Sequence, residues 1–182
     1  MTLSQEDGKL FYKLWLPLLD YVNSKCNIND LRNIAVAKEL DPQKVKEVAN
    51  YLWSNVDIID EYLNDNESDS LTDDDKDIIA SWKRCITGRF MMERHLKKGT
   101  IFISMETEKV YRTVGIISSW EEMFFGAPMP IMVEATFLPF RDVIISDGLV
   151  MPFNIIIGGG MKRVFKDIYM NAKQNGMIHD TL

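Results

Sequence analysis

Apolar positions in the first half of the chain recur at three- and four-residue spacing. Phe11, Leu14, Trp15, Leu18, Leu19 and Val22 make such a stripe, which predicts a helix packed on a core. Pro17 lies inside the stripe and cannot donate to the carbonyl of Lys13, so a kink or a restart is expected there. A short helix from about Asp30 to Leu40 should follow, with Asp30 as its cap. Asp41-Pro42 is a stronger start signal, because aspartate accepts from first-turn amides and proline at the first helical position sacrifices no bond. Val45, Val48, Leu52, Val56, Ile59 and Leu63 then predict one helix of about 22 residues, ending at Asn64-Asp65-Asn66. Past the polar stretch 64–71, Thr72 caps another helix whose first turn carries Asp73, Asp74 and Asp75. Its apolar face is Ile78, Ile79, Trp82, Cys85 and Ile86, and Gly88 is the expected break.

Beyond Gly88 the period shortens towards two. Thr100 to Met105 and Val110 to Ile117, joined by Glu106-Thr107-Glu108, predict a β-hairpin. One or two helical turns capped by serine follow at 118–125, stopped by Gly126 and Pro128. Ile131 to Phe140, Val143 to Ile145 and Phe153 to Ile157 read as three more strands. Gly158, Gly159 and Gly160 lead into a last helix over 161–175, which Gly176 ends. Helices first and strands afterwards predict an α+β fold. Residues 1–87 would form a helical part of three to four helices. Residues 88–182 would form a five-stranded antiparallel sheet or small barrel with a C-terminal helix, either as a second part or within one compact unit.

Composition narrows the function classes. The chain has 182 residues, 46% hydrophobic and 26% charged, with a net charge of −6, which excludes a chain disordered throughout and a polycationic nucleic-acid binder. The first residues lack a signal peptide's basic and apolar segments, and no apolar run is long enough to span a bilayer, so a cytoplasmic protein without a membrane segment is expected. The charge is unevenly spread: Asp57 to Asp77 holds ten of the 27 acids and one of the 21 bases. Directly after it, Lys83, Arg84, Arg89, Arg94, Lys97 and Lys98 face only Glu93, a stretch that either pairs with the acidic window or contacts nucleic-acid phosphates.

Catalytic chemistry finds little support. A calcium loop needs glycine at its sixth and glutamate at its twelfth position, but a loop starting at Asp65 has Ser70 and Lys76 there and one starting at Asn64 has Asp69 and Asp75, so neither register fits. His95 and His179 have no second ligand at helical spacing, and the two cysteines, Cys26 and Cys85, form no metal or nucleophile motif, so neither a metal nor another cofactor is expected. Strand, Gly158-Gly159-Gly160 and the bases Lys162 and Arg163 make one candidate anion site, whose alternative is a tight turn with a glycine at positive φ. Trp120, Phe124, Phe125 and Met129 around Gly126 and Pro128 make a candidate partner-binding loop.

Leu138-Pro139-Phe140, Asp147-Gly148-Leu149, Pro152-Phe153-Asn154-Ile155 and the glycine triplet before a basic helix resemble an uncharacterised bacterial protein family, with a looser echo in Phe11-Tyr12-Lys13-Leu14. Some similar proteins carry a cysteine-rich metal-binding tail of the SEC-C kind, which is not present up to Leu182. The resemblance implies a cytoplasmic, adaptor-like bacterial protein and assigns no site residues. The reading is a non-catalytic module that binds protein or peptide. The alternative is a nucleic-acid or anion binder using 83–98 or the glycine turn.

Overall fold

The computed structural model describes residues 1–37, 39–65, 68 and 70–182. It is an α+β structure whose helices precede a sheet, and it divides into two units: Gln5–Arg84, and Met1–Ser4 together with Cys85–Leu182. Among the described residues, no helix is long and apolar enough to cross a membrane.

In the helical unit, α1 (Gln5–Cys26) runs through Pro17 without a restart. Its buried stripe extends on both sides of the proline, and tertiary burial outweighs the lost hydrogen bond. Three tryptophans anchor the core: Trp15 stacks on Trp53 at 5.0 Å and meets Trp82 edge-on at 5.9 Å. The helix expected at 30–40 is absent among the described residues, and Lys38 lies outside them. Side chains of α1 satisfy this segment instead. Asn23 Nδ2 donates to the Leu31 carbonyl at 2.9 Å, and Asp20 Oδ1 accepts from the Ile34 amide at 3.1 Å. Asp30 pairs with Lys44 at 2.5 Å rather than capping a helix.

The long helix expected after Pro42 divides into α2 (Pro42–Ser54) and α3 (Ile58–Leu63). Asn55 leaves helical geometry at φ −138°, ψ 53°, yet Val45, Val48, Leu52 and Ile59 are all buried as one apolar face would require. Thr72 caps α4 (Asp73–Ser81) in a reciprocal box with Asp75. After it a 3-10 turn spans Trp82–Arg84, so Cys85 and Ile86 are not on the helix.

Ile86 instead opens β1 (Ile86–Leu96), the longest strand, where no strand was expected. It is followed by β2 (Gly99–Ser104), β3 (Val110–Thr113), α5 (Trp120–Met123), β4 (Ile131–Phe140), β5 (Val143–Ser146), β6 (Met151–Pro152), α6 (Gly159–Gln174) and β7 (Ile178–His179). The sheet is mixed rather than antiparallel: β3 pairs β5 and β7 in parallel, and the other pairings are antiparallel. Pairings run from β1 to β2, β3, β5 and β4, and β4 returns to β1. β1 serves both ends of this circuit. Its first half registers with β4 (Gly88 opposite Ala135), its second half with β2 (His95 opposite Thr100), and a bulge separates Met92 from Arg94.

Both faces of β1 are buried. Phe90 and Met92 join Phe102, Tyr111, Trp120, Val133, Phe137 and Ile144 in one cluster. Met91 joins Ile101, Ile103 and Val110 in a second cluster, covered by Phe165, Tyr169 and Ala172 of α6. Arg94 lies over the Tyr169 ring at 4.3 Å.

The N-terminal residues fasten to the loop after β3: the Leu3 amide donates to the Gly115 carbonyl at 2.9 Å, and the Gly115 amide to the Met1 carbonyl at 3.1 Å. A Cβ at Gly115 would stand 1.9 Å from the Ser118 carbonyl oxygen, a backbone atom that cannot step aside. Gly115→Ala should therefore lower unfolding stability by about 2 kcal/mol or more. A denaturant titration matching that of the unaltered chain would show instead that the 115–119 loop can open freely.

Candidate functional site

Five apolar side chains close in sequence are exposed between β6 and the first turns of α6. Ile156 is 100% exposed, and Met151, Ile155, Met161 and Val164 are each about half exposed. The segment is held at both ends. The Phe153 amide donates to the Met132 carbonyl at 2.9 Å, continuing the β6–β4 pairing, and Ile157 is buried in the α6 cluster. Between these anchors the Ile155 amide bonds the Phe153 carbonyl at 2.9 Å, a tight turn that pushes Ile155 and Ile156 outwards. The strand expected over Phe153 to Ile157 is not formed.

The glycine triplet adjoins this loop. Gly158 is the cap of α6 at φ −70°, and none of the three glycines has positive φ. A Cβ at Gly158, Gly159 or Gly160 would have no neighbour within 4 Å. The positive φ expected of a strand-to-helix turn is thus absent, and the fold requires glycine at none of these positions. Lys162, Arg163 and Lys166 project from the same turns and are exposed, with no acid between Leu149 and Lys166. Lys162 and Arg163 adjoin the triplet as the sequence order demands, but they make no ion pair among the described residues.

The other candidate residues are placed differently. Trp120 is 1% exposed and packs edge-on against Phe102 at 4.9 Å, so it is a core residue. Ser119 fixes its helix through a reciprocal cap with Glu122, whose carboxyl is held below its usual range by the Ser119 amide. Phe124 and Met129 pack on the same core and are only partly exposed. Of the proposed partner-binding loop, Phe125 alone is presented to solvent, at 89%.

The basic stretch is largely matched by acids. Lys83 pairs with Asp57 and Asp60, Arg89 with Glu106 at 3.5 Å, and Arg94 with Glu93. Lys97 and Lys98, in the β1–β2 turn, make no ion pair among the described residues. Acids of the 57–77 window are likewise used: Glu61 pairs with Lys25, and Asp75 closes the α4 cap. No group of three or more His, Cys, Asp or Glu that could hold a metal occurs among the described residues.

Titration and cavities add no reactive centre. Burial lowers the His95 pKa, and its Nδ1 shares a hydrogen bond with Thr100 Oγ1 at 2.9 Å. Burial, helped by the nearby Asp147 charge, pushes the Cys85 thiol up to about 11. A cavity of about 600 Å³ lies between the β2–β3 turn and the end of α6, lined by Glu108, Lys109, Asn171, Met177 and His179 among others.

Pattern reading missed Ile155 and Ile156 as exposed residues because a run of three isoleucines reads as a buried strand. The signal that could have found them is Pro152 and Asn154 just before the run, both poor strand formers, with glycine directly after it.

Two outcomes follow. At low salt no gel shift with single-stranded RNA or DNA is expected, since four of the six bases between Lys83 and Lys98 already have partners. A shift abolished by Lys97→Glu with Lys98→Glu would reinstate that interface. Alkylation of Cys85 should remain slow at neutral pH and accelerate only as pH approaches about 11; rapid modification at pH 7, followed by mass spectrometry, would contradict the burial. Searches of family models, curated proteins and solved structures return no match to the chain.

Proposed function

We propose that this chain is a non-catalytic interaction module of the bacterial cytoplasm, binding another protein through the loop after β6 and the first turns of α6. One observation carries the reading: five apolar side chains stand exposed between Met151 and Val164, one on β6, two on the loop pinned between Phe153 and Ile157, and two on the first turns of α6. Single exposed apolar residues are ordinary, whereas a cluster of them is a mark of a contact surface. Pinning supports the reading further, because a pre-ordered loop loses little conformational entropy on binding.

We also infer that the circuit β1-β2-β3-β5-β4-β1 closes a small five-stranded barrel. Small Greek-key barrels of five strands bind oligonucleotides on the outer face of strands 2 and 3. Here that face presents Ile101, Ile103 and Val110, and α6 covers it. An apolar face under a helix favours a protein partner elsewhere over a nucleic acid there.

Selecting binders from a displayed peptide library on the unaltered protein tests the proposal. Ile156→Glu should leave the thermal midpoint nearly unchanged, as surface substitutions usually do, and abolish binding of most selected peptides. Binders indifferent to Ile156→Glu and Val164→Glu would overturn it.

A further inference from the structure

Resting on that reading, we propose that the occupant of the surface is an acidic amphipathic helix whose backbone comes close to Gly158–Gly160. Its chemistry follows from three features of the surface. First, Lys162, Arg163 and Lys166 are exposed in the first turns of α6 beside Met161 and Val164, and the chain carries no acid between Leu149 and Lys166, although Asp167 follows on the same helix and Glu134 sits in register with Met151. A partner with carboxylates beside its apolar stripe gains complementarity there, while a basic one is repelled.

Second, the backbone excludes two other occupants. The amides of Asn154 and Ile156 have no partner among the described residues and lie beside the exposed isoleucines. Lipid could not satisfy them, at a cost of several kcal/mol per group; side-chain carboxylates of a peptide can. Strand addition is blocked as well, because Pro152 removes an amide from the free edge of β6 and the chain turns at Asn154. A helix, with its own backbone bonds already made, needs no such edge.

Third, Gly159 and Gly160 cost the fold helix propensity and return nothing within it, while Gly158 serves as the cap of α6. None has positive φ, and none abuts a neighbour that a Cβ would strike. Gly159 and Gly160 lie inside α6, where alanine is the better helix former. Successive positions without side chains do, however, leave the backbone at the start of α6 bare on every side, so a second helix can come close to it.

The test uses helical peptides selected by display on the intact chain. Selected sequences should carry net negative charge beside apolar residues at three- and four-residue spacing, and bind more weakly as salt rises. Gly159→Ala and Gly160→Ala should each raise the thermal midpoint by about 2 °C and yet weaken the selected peptides by about tenfold. A purely structural role for the glycines predicts the gain in stability with affinity unchanged, and that result overturns the inference. Neutral or basic binders that still depend on Ile156 would also overturn it, while leaving the interaction surface itself standing. Binding of phosphatidylglycerol vesicles that Ile156→Glu abolishes would make the occupant a membrane. A dimer in sedimentation that Ile156→Glu dissociates would make it a second copy of this chain. Either result overturns the acidic helix.

Discussion

The sheet unit depends on one strand being shared by two partners. β1 pairs with β4 through Ile86 to Met92 and with β2 through Phe90 to Leu96, and the bulge between Met92 and Arg94 lets the strand bend from one to the other. Without that change of partner, β4 and β5 would hang from β3 by a single parallel bridge, Thr113 opposite Ile144. The same sharing explains why Phe90, Met91 and Met92 are all buried: alternate side chains enter two different cores.

Two cores on opposite faces of β1 and β2 need two covers. One is the sheet itself, curving back so that Val133, Ala135 and Phe137 of β4 meet Phe90 and Phe102, with Trp120 of α5 among them. The other is α6, laid on Met91, Ile101, Ile103 and Val110. Because α6 must reach across these strands, its first turns and the loop that feeds it bear exposed apolar groups. The candidate surface therefore lies where the covering helix starts, with Ile155 and Ile156 exposed immediately before the buried Ile157.

Legibility followed the strength of local signals. The Thr72 cap, the serine start of α5 and Asp41-Pro42 were readable because each signal lies at the helix start itself, while the reciprocal partners Asp75 and Glu122 emerge only in the folded chain. The hairpin of β2 and β3 was readable from its two apolar runs. β1 was not, since Arg89, Glu93, Arg94 and His95 interrupt it and find partners only in the folded state: Glu106 for Arg89, Tyr169 for Arg94, Thr100 for His95. The parallel pairing of β3 with β5 escaped for a related reason, as nothing in either strand marks its direction relative to a partner some thirty residues away. The break at Asn55 escaped because the apolar spacing continues across it, and burial constrains a face without requiring an unbroken helix.

For the candidate site, composition was visible and geometry was not. Gly158, Gly159, Gly160, Lys162 and Arg163 stood out in the sequence, and the natural explanation for such a turn is a backbone only glycine can adopt. The structure removes that explanation while leaving glycines where they are needed for conformation, at Gly99, Gly126, Gly148 and Gly176, all with positive φ. The contrast between the two sets is informative. Glycine at the four turns has a conformational reason and Gly158 is a helix cap, whereas Gly159 and Gly160 have no such reason, and it is these two that the proposed close approach of a partner would use.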